Sequence, residues 1–198
     1  MNLLCLRHPP LPEIWNGRFL GQMDPRSIAF SPSDSFIEKV KLFDPELIVS
    51  SDLLRCSEMA EAIKSHLDPT IPLIFKQELR EISFGRWESK SHSDLAVDED
   101  DKELYSSFLN NFPNEPAPEG EAIPDFQDRI AKTIHAIHSE NLDRVLIVSH
   151  AGVIRSIASQ VLNASLDVSF RMVLDYLSAS RFQIEKDFTM FQSWNESF

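Results

Sequence analysis

Apolar and polar positions follow two periods along this chain, and each change of period marks an element. Short continuous apolar runs over Leu3–Leu6, Leu47–Ser50, Pro72–Phe75 and Arg144–Ser149 read as buried strands. Helical spacing covers Phe36–Phe43, Leu53–His66, Leu104–Phe112, Ile123–Ser139 and Val153–Leu162. In the second of these Met59, Ala62 and Ile63 fall on an inner face; in the fourth Ile130, Ile134 and Ile137 form one stripe. Ser51-Asp52 stands where a helix beginning at Leu53 needs its N-cap. Ser180–Glu185 and Thr189–Trp194 predict a closing hairpin. Leu11–Pro32 reads as a long ordered loop, Ser89–Asp101 as a polar, acidic stretch and Pro113–Pro118 as a proline loop. Strands alternating with helices predict an α/β chain with a mostly parallel sheet. Ligands of such sheets sit beyond the carboxyl ends of the strands, and His8, Ser51 and His150 all fall at that edge.

With 198 residues, the chain is long enough for one domain over 1–198 with no disulfide or metal staple. Lys and Arg number 19 against 31 Asp and Glu, a formal charge of −12. That balance argues against a nucleic-acid partner, which calls for a basic face. It leaves room for a small anionic substrate, because a few arginines in one cleft focus a positive field. Cys5 and Cys56 have no metal-ligand spacing and are expected to be buried free thiols. The N-terminus lacks a signal-peptide pattern, and no apolar run nears the ~18 residues of a membrane span. The expectation is a soluble, cytoplasmic protein with no membrane partner; its oligomeric state stays open.

Taken singly, the polar residues at strand ends are unremarkable. His8 could be a satisfied surface histidine, Arg55 a surface arginine on a capped helix, and Ser149-His150-Ala151-Gly152 a tight connection. Leu79-Arg80-Glu81-Ile82-Ser83-Phe84-Gly85-Arg86-Trp87-Glu88 has no regular period. Their order along the chain carries more. Arg7-His8 after the first strand, then Ser50-Ser51-Asp52-Leu53-Leu54-Arg55, then the Leu79–Glu88 segment follow one another. Gly120-Glu121 behind a proline loop and Ser149-His150-Ala151-Gly152 after a late strand complete the series. From Leu3 to about Arg155 this series resembles the histidine phosphatase superfamily, which includes the phosphoglycerate mutase-like enzymes.

The resemblance implies a three-layer α/β/α sandwich of the phosphoglycerate mutase type, and phosphoryl transfer through a phosphohistidine without metal or other cofactor. By position, His8 matches the nucleophile, Arg7 and Arg55 the phosphate-binding arginines, His150 the second active-site histidine and Glu81 the proton donor. Two planar guanidiniums suit the oxygens of a near-dianionic phosphomonoester. A protonated His150 would add charge at the equatorial oxygens. Pro9 stands where the family usually has glycine, which removes one amide from the phosphate pocket, and Ala151 replaces another glycine.

Within the family, the chain is short for a mutase. Gly21-Gln22-Met23-Asp24, the Leu104–Phe112 helix and Pro118-Glu119-Gly120-Glu121 are similar to the α-ribazole phosphatase branch of cobalamin assembly. On this resemblance the substrate is a small phosphomonoester, α-ribazole 5′-phosphate first, contacted by Arg7, Arg55, Gly21, Gln22, His150 and Ala151. A broad-specificity phosphatase, an inactive relative that binds a phosphorylated ligand, and a metal hydrolase built on His8, His150 and Glu81 are the alternatives.

Overall fold

The computed structural model describes all 198 residues. Strands β1 (Asn2–Arg7), β2 (Leu47–Ser51), β3 (Leu73–Lys76), β4 (Arg144–Ser149), β5 (Ala179–Ile184) and β6 (Thr189–Glu196) form one sheet in the order β3-β2-β4-β1-β5-β6. The first four run parallel, while β5 lies antiparallel to β1 and forms the expected hairpin with β6. The register of β1 on β4 sets Arg7 beside Ser149. The next residue of each strand is therefore a histidine, and the two histidines emerge side by side from the centre of the sheet.

The period of two sorts the strands onto two faces. Leu3, Cys5, Leu47, Val49, Val145 and Ile147 pack under α5 (Ile123–His138) and α6 (Ala151–Val161). Leu4, Leu6, Ile48, Leu146 and Val148 pack under α1 (Asp34–Phe43) and α2 (Leu54–Lys64). Helix, sheet and helix thus make the three expected layers. The inner face of α2 is Met59, Ala60 and Ile63, so Ala60 takes the place expected of Ala62. A third cluster of Phe19, Trp87, Leu95, Tyr105, Phe108 and Ala117 lies under α3 (His92–Val97) and α4 (Lys102–Asn111).

Two helices were absent from the apolar pattern. The polar stretch after Ser89 contains α3, which buries only Leu95 and is held by a capping box between Ser91 and Asp94. One buried position gives no period to read; here the cap makes the helix. The five-residue α7 (Leu166–Phe170) is too short to show a period at all. The N-terminus of α2 also departs from expectation. Its N-cap is Leu53 with no side-chain cap, and the Leu54 amide donates to Asp24 Oδ1 at 2.7 Å from the long loop. Asp52 is occupied elsewhere, in a two-point pair with Arg80. No helix is long and apolar enough to cross a membrane.

Candidate active site

His8 and His150 leave β1 and β4 with ring centroids 5.2 Å apart. Both are buried, His8 at 5% exposure and His150 at 0%. The His8 Nδ1 lies 2.7 Å from the Pro9 carbonyl. An oxygen there accepts only, so Nδ1 carries the proton and Nε2 keeps its lone pair. Pro9, expected only to remove an amide, thus also fixes the tautomer that leaves Nε2 nucleophilic. Burial first, then the Arg55 and Arg7 charges, hold the His8 ring well below its ordinary 6.5.

His150 is also neutral, and its proton can be placed. The Arg55 Nε donates to His150 Nδ1 at 3.1 Å, so Nδ1 is an acceptor. The proton sits on Nε2, which donates to Ser51 Oγ at 2.9 Å. Burial and then Arg55 hold this ring well below 6.5 as well. In the free protein both ring nitrogens are spent, and the positive charge that a protonated His150 would bring belongs here to Arg55. Cys56 Sγ packs 3.4 Å from His150 Nε2, and both cysteines are buried free thiols. Burial pushes the Cys56 thiol far above its ordinary range and keeps it protonated.

Arg55 is 1% exposed. Besides His150 it donates to the Gly21 carbonyl at 2.8 Å and the Met23 carbonyl at 2.6 Å. Three of its five N–H groups are thereby fixed, leaving two. Gly21 and Gln22, expected to touch substrate, both give backbone groups to positioning. The Gly21 carbonyl seats Arg55, and the Gln22 amide donates to Glu88 Oε1 at 2.9 Å, which also accepts from the Phe84 amide at 3.1 Å. Gly21 has a φ of +50°, and a Cβ there would collide with that Glu88 oxygen. Arg7 is half-buried, donates through Nη1 to the Leu174 carbonyl and has no carboxylate partner. Its buried Nε has no partner either.

Glu81 is held by two backbone amides. Its Oε2 accepts the Gly152 amide at 3.1 Å and its Oε1 the Ile82 amide at 3.1 Å. Gly152 and Ala151 open α6, where first-turn amides lack an intrahelical acceptor and favour negative charge. Any Cβ on Gly152 would strike Glu81 Oε1. Ala151, the first residue of that turn, is 9% exposed. No three or more His, Cys, Asp or Glu side chains are grouped to hold a metal ion.

Next to Arg7 opens a cavity of about 630 Å³ walled by Phe19, Phe84, Phe108, Phe112 and Phe170. Arg18 and Arg155 also line it beside Arg7. Arg155 donates to the carbonyls of Ser169 and Met172, both at 3.2 Å, and lies 5.1 Å from the Phe170 ring centroid. Reasoning on the sequence overlooked Arg18, Arg155 and this wall. Phe108 and Phe112 sit one turn apart on a recognisable helix, but nothing local ties them to Phe19 or Phe170.

The histidine phosphatase superfamily (branch 1) family model matches residues 30–197. The chain belongs to this superfamily. The matched span begins after the Arg7-His8 turn, whose place in the site rests on the geometry above. An Escherichia coli K12 relative named adenosylcobalamin/alpha-ribazole phosphatase is 27% identical over 152 residues, 74% of each chain. The α-ribazole phosphatase structure from Shigella flexneri superposes with a TM-score of 0.79 at 23% identity, over 99% of this chain and 96% of the other. A mycobacterial glucosyl-3-phosphoglycerate phosphatase gives 0.79 at 19% identity over 100% and 99%. These structural likenesses share the phosphoglycerate mutase-like α/β fold.

Two outcomes follow from the geometry. The unfolded chain binds protons near pH 6.5 at positions 8 and 150 that the folded protein refuses. Stability is therefore fully present above pH 6.5 and declines below it, by about 1.4 kcal/mol per pH unit for each histidine. Urea unfolding between pH 7 and 5 should show this fall, and His150→Gln should reduce its slope; a flat wild-type profile contradicts it. Separately, Gly152→Ala should leave thermal stability level or raise it by up to ~1 kcal/mol through helix propensity. The same change displaces Glu81, so hydrolysis of an alkyl phosphate should fall at least tenfold and that of p-nitrophenyl phosphate much less. Equal losses on both substrates would deny Glu81 a role in protonating the leaving group.

Proposed function

We propose that the protein is a phosphomonoesterase acting through a phosphohistidine at His8, with α-ribazole 5′-phosphate of cobalamin nucleotide-loop assembly as its first candidate substrate. The observation that carries the reading is the neutral His8, with Nδ1 tied to Pro9 and Nε2 without a hydrogen-bond partner beside Arg7. In the first step the Nε2 lone pair attacks phosphorus and the phosphorus–alkoxide bond breaks. Glu81 passes a proton to the departing oxygen and is left as the carboxylate. In the second step Glu81 takes a proton from water, the water oxygen attacks phosphorus, and the phosphorus–nitrogen bond breaks to restore His8. Arg7 and the two remaining N–H groups of Arg55 hold the phosphoryl oxygens, and Ala151 offers a first-turn amide.

The substrate reading is supported by the phenylalanine wall next to Arg7. Flat aromatic rings stack edge or face against such walls, and α-ribazole carries a benzimidazole ring on its ribose. The name of the Escherichia coli relative points the same way. A broader phosphatase is the second reading, favoured by Arg18 and Arg155 on the same cavity, where they would suit a leaving group with a carboxylate. An inactive relative has no observation on its side, since all five expected side chains are present.

The test is kcat/KM on α-ribazole 5′-phosphate, phosphoserine and p-nitrophenyl phosphate, with and without EDTA. The proposal expects EDTA-insensitive turnover and at least a tenfold preference for α-ribazole 5′-phosphate over phosphoserine. A preference for phosphoserine selects the broader reading, and no turnover of any ester overturns the phosphatase assignment.

A further inference from the structure

Arg7 and Arg55 are held in very different ways. Arg55 is locked by an imidazole and two carbonyls. The Arg7 guanidinium has one hydrogen bond, to the Leu174 carbonyl, and a buried Nε with none. What else fixes its guanidinium plane is the Tyr176 ring, whose centroid lies 3.7 Å from Arg7 Cζ. At that distance the guanidinium rests on the ring face, where the quadrupole attracts a cation. The same ring stands 5.5 Å from the His8 centroid, next to the nucleophile.

The backbone around Tyr176 is built to keep it there. Arg7 exchanges main-chain hydrogen bonds with this segment, its amide donating to Ser178 and its carbonyl accepting from Leu177. Leu177 takes a left-handed φ of +59° beside Tyr176, a conformation that persists only where its surroundings enforce it. The C-terminal strand does the enforcing: Asn195 Oδ1 accepts the Asp175 amide at 2.7 Å, and Trp194 Nε1 donates to the Val173 carbonyl. Tyr176 itself is 37% exposed, so core packing does not require an aromatic ring at this position.

We propose that Tyr176 is a positioning residue of the phosphate clamp, its ring face setting the Arg7 guanidinium plane for two-point contact with the phosphoryl group at His8. The inference rests on the phosphohistidine reading of the site. Tyr176→Phe keeps the ring face, whereas Tyr176→Leu keeps bulk and removes the quadrupole. A contact of about 1 kcal/mol corresponds to roughly fivefold. Tyr176→Leu should therefore lose about fivefold or more in kcat/KM on p-nitrophenyl phosphate and in orthovanadate affinity, with an unchanged melting temperature. Tyr176→Phe should stay within twofold of wild type.

The decisive arm is a double-mutant cycle. In an Arg7→Ala background, the residual turnover of Tyr176→Leu should match that of Tyr176 within twofold. Full activity of Tyr176→Leu, an equal loss in Tyr176→Phe, or the same deficit with Arg7 removed each overturns this proposal alone. A wild type inert toward p-nitrophenyl phosphate, phosphoserine and α-ribazole 5′-phosphate alike overturns the phosphatase reading and this inference with it.

Discussion

Two imidazoles lie out of water next to two guanidiniums, and much of the site is arranged around keeping those imidazoles neutral. The Arg55 Nε–H to His150 Nδ1 bond exists only while Nδ1 holds no proton. Once Arg55 is buried to make that bond, its other N–H groups need acceptors, since an unmet buried charge costs several kcal/mol. The loop 18–24 supplies them through the Gly21 and Met23 carbonyls. The loop in turn needs an anchor, which Glu88 provides, and a glycine at 21 because Glu88 occupies the space of its Cβ. Asp24 of the same loop caps α2, the helix that carries Arg55. Each step follows from a polar group that must be satisfied.

The acid and the nucleophile reach the site by separate routes. β1 and β4 deliver the two histidines through register alone. Glu81 arrives on an irregular segment after β3 and is seated by the first turn of α6, where Gly152 is the residue that leaves room for it. In a chain of net charge −12, this edge gathers Arg7, Arg55 and Arg155. Arg7 and Arg155 there have no carboxylate partners, while Arg80, Arg86, Arg129, Arg144 and Arg181 are paired with acids.

The layers and the strand-end residues were legible in the sequence because they depend on short-range signals. Unbroken runs such as Arg144–Ser149 become central strands, and the residue after a central parallel strand lies at the ligand edge. His8 and His150 stood out on that ground, whereas Arg55 and Glu81 were named only through the family resemblance that the order of the motifs carries. What stayed hidden depends on pairs distant in the chain. Asp24 capping α2, Asp52 turned to Arg80, and the convergence of Phe19 with Phe108 and Phe170 leave no local trace. The charge on His150 likewise leaves no local trace. Sequence places a histidine near a phosphate site, whereas its charge is set by whether Arg55 donates to it or a carboxylate accepts from it. Tyr176 was passed over because its partner, Arg7, lies at the other end of the chain.

The most direct test of neutral, oriented imidazoles is a ¹⁵N-detected NMR titration of the ring nitrogens in the ligand-free protein. The account predicts His8 as the Nδ1–H tautomer and His150 as the Nε2–H tautomer, both remaining neutral well below pH 6.5. An imidazolium signal from either ring at pH 6.5, or a proton on His8 Nε2, would contradict it.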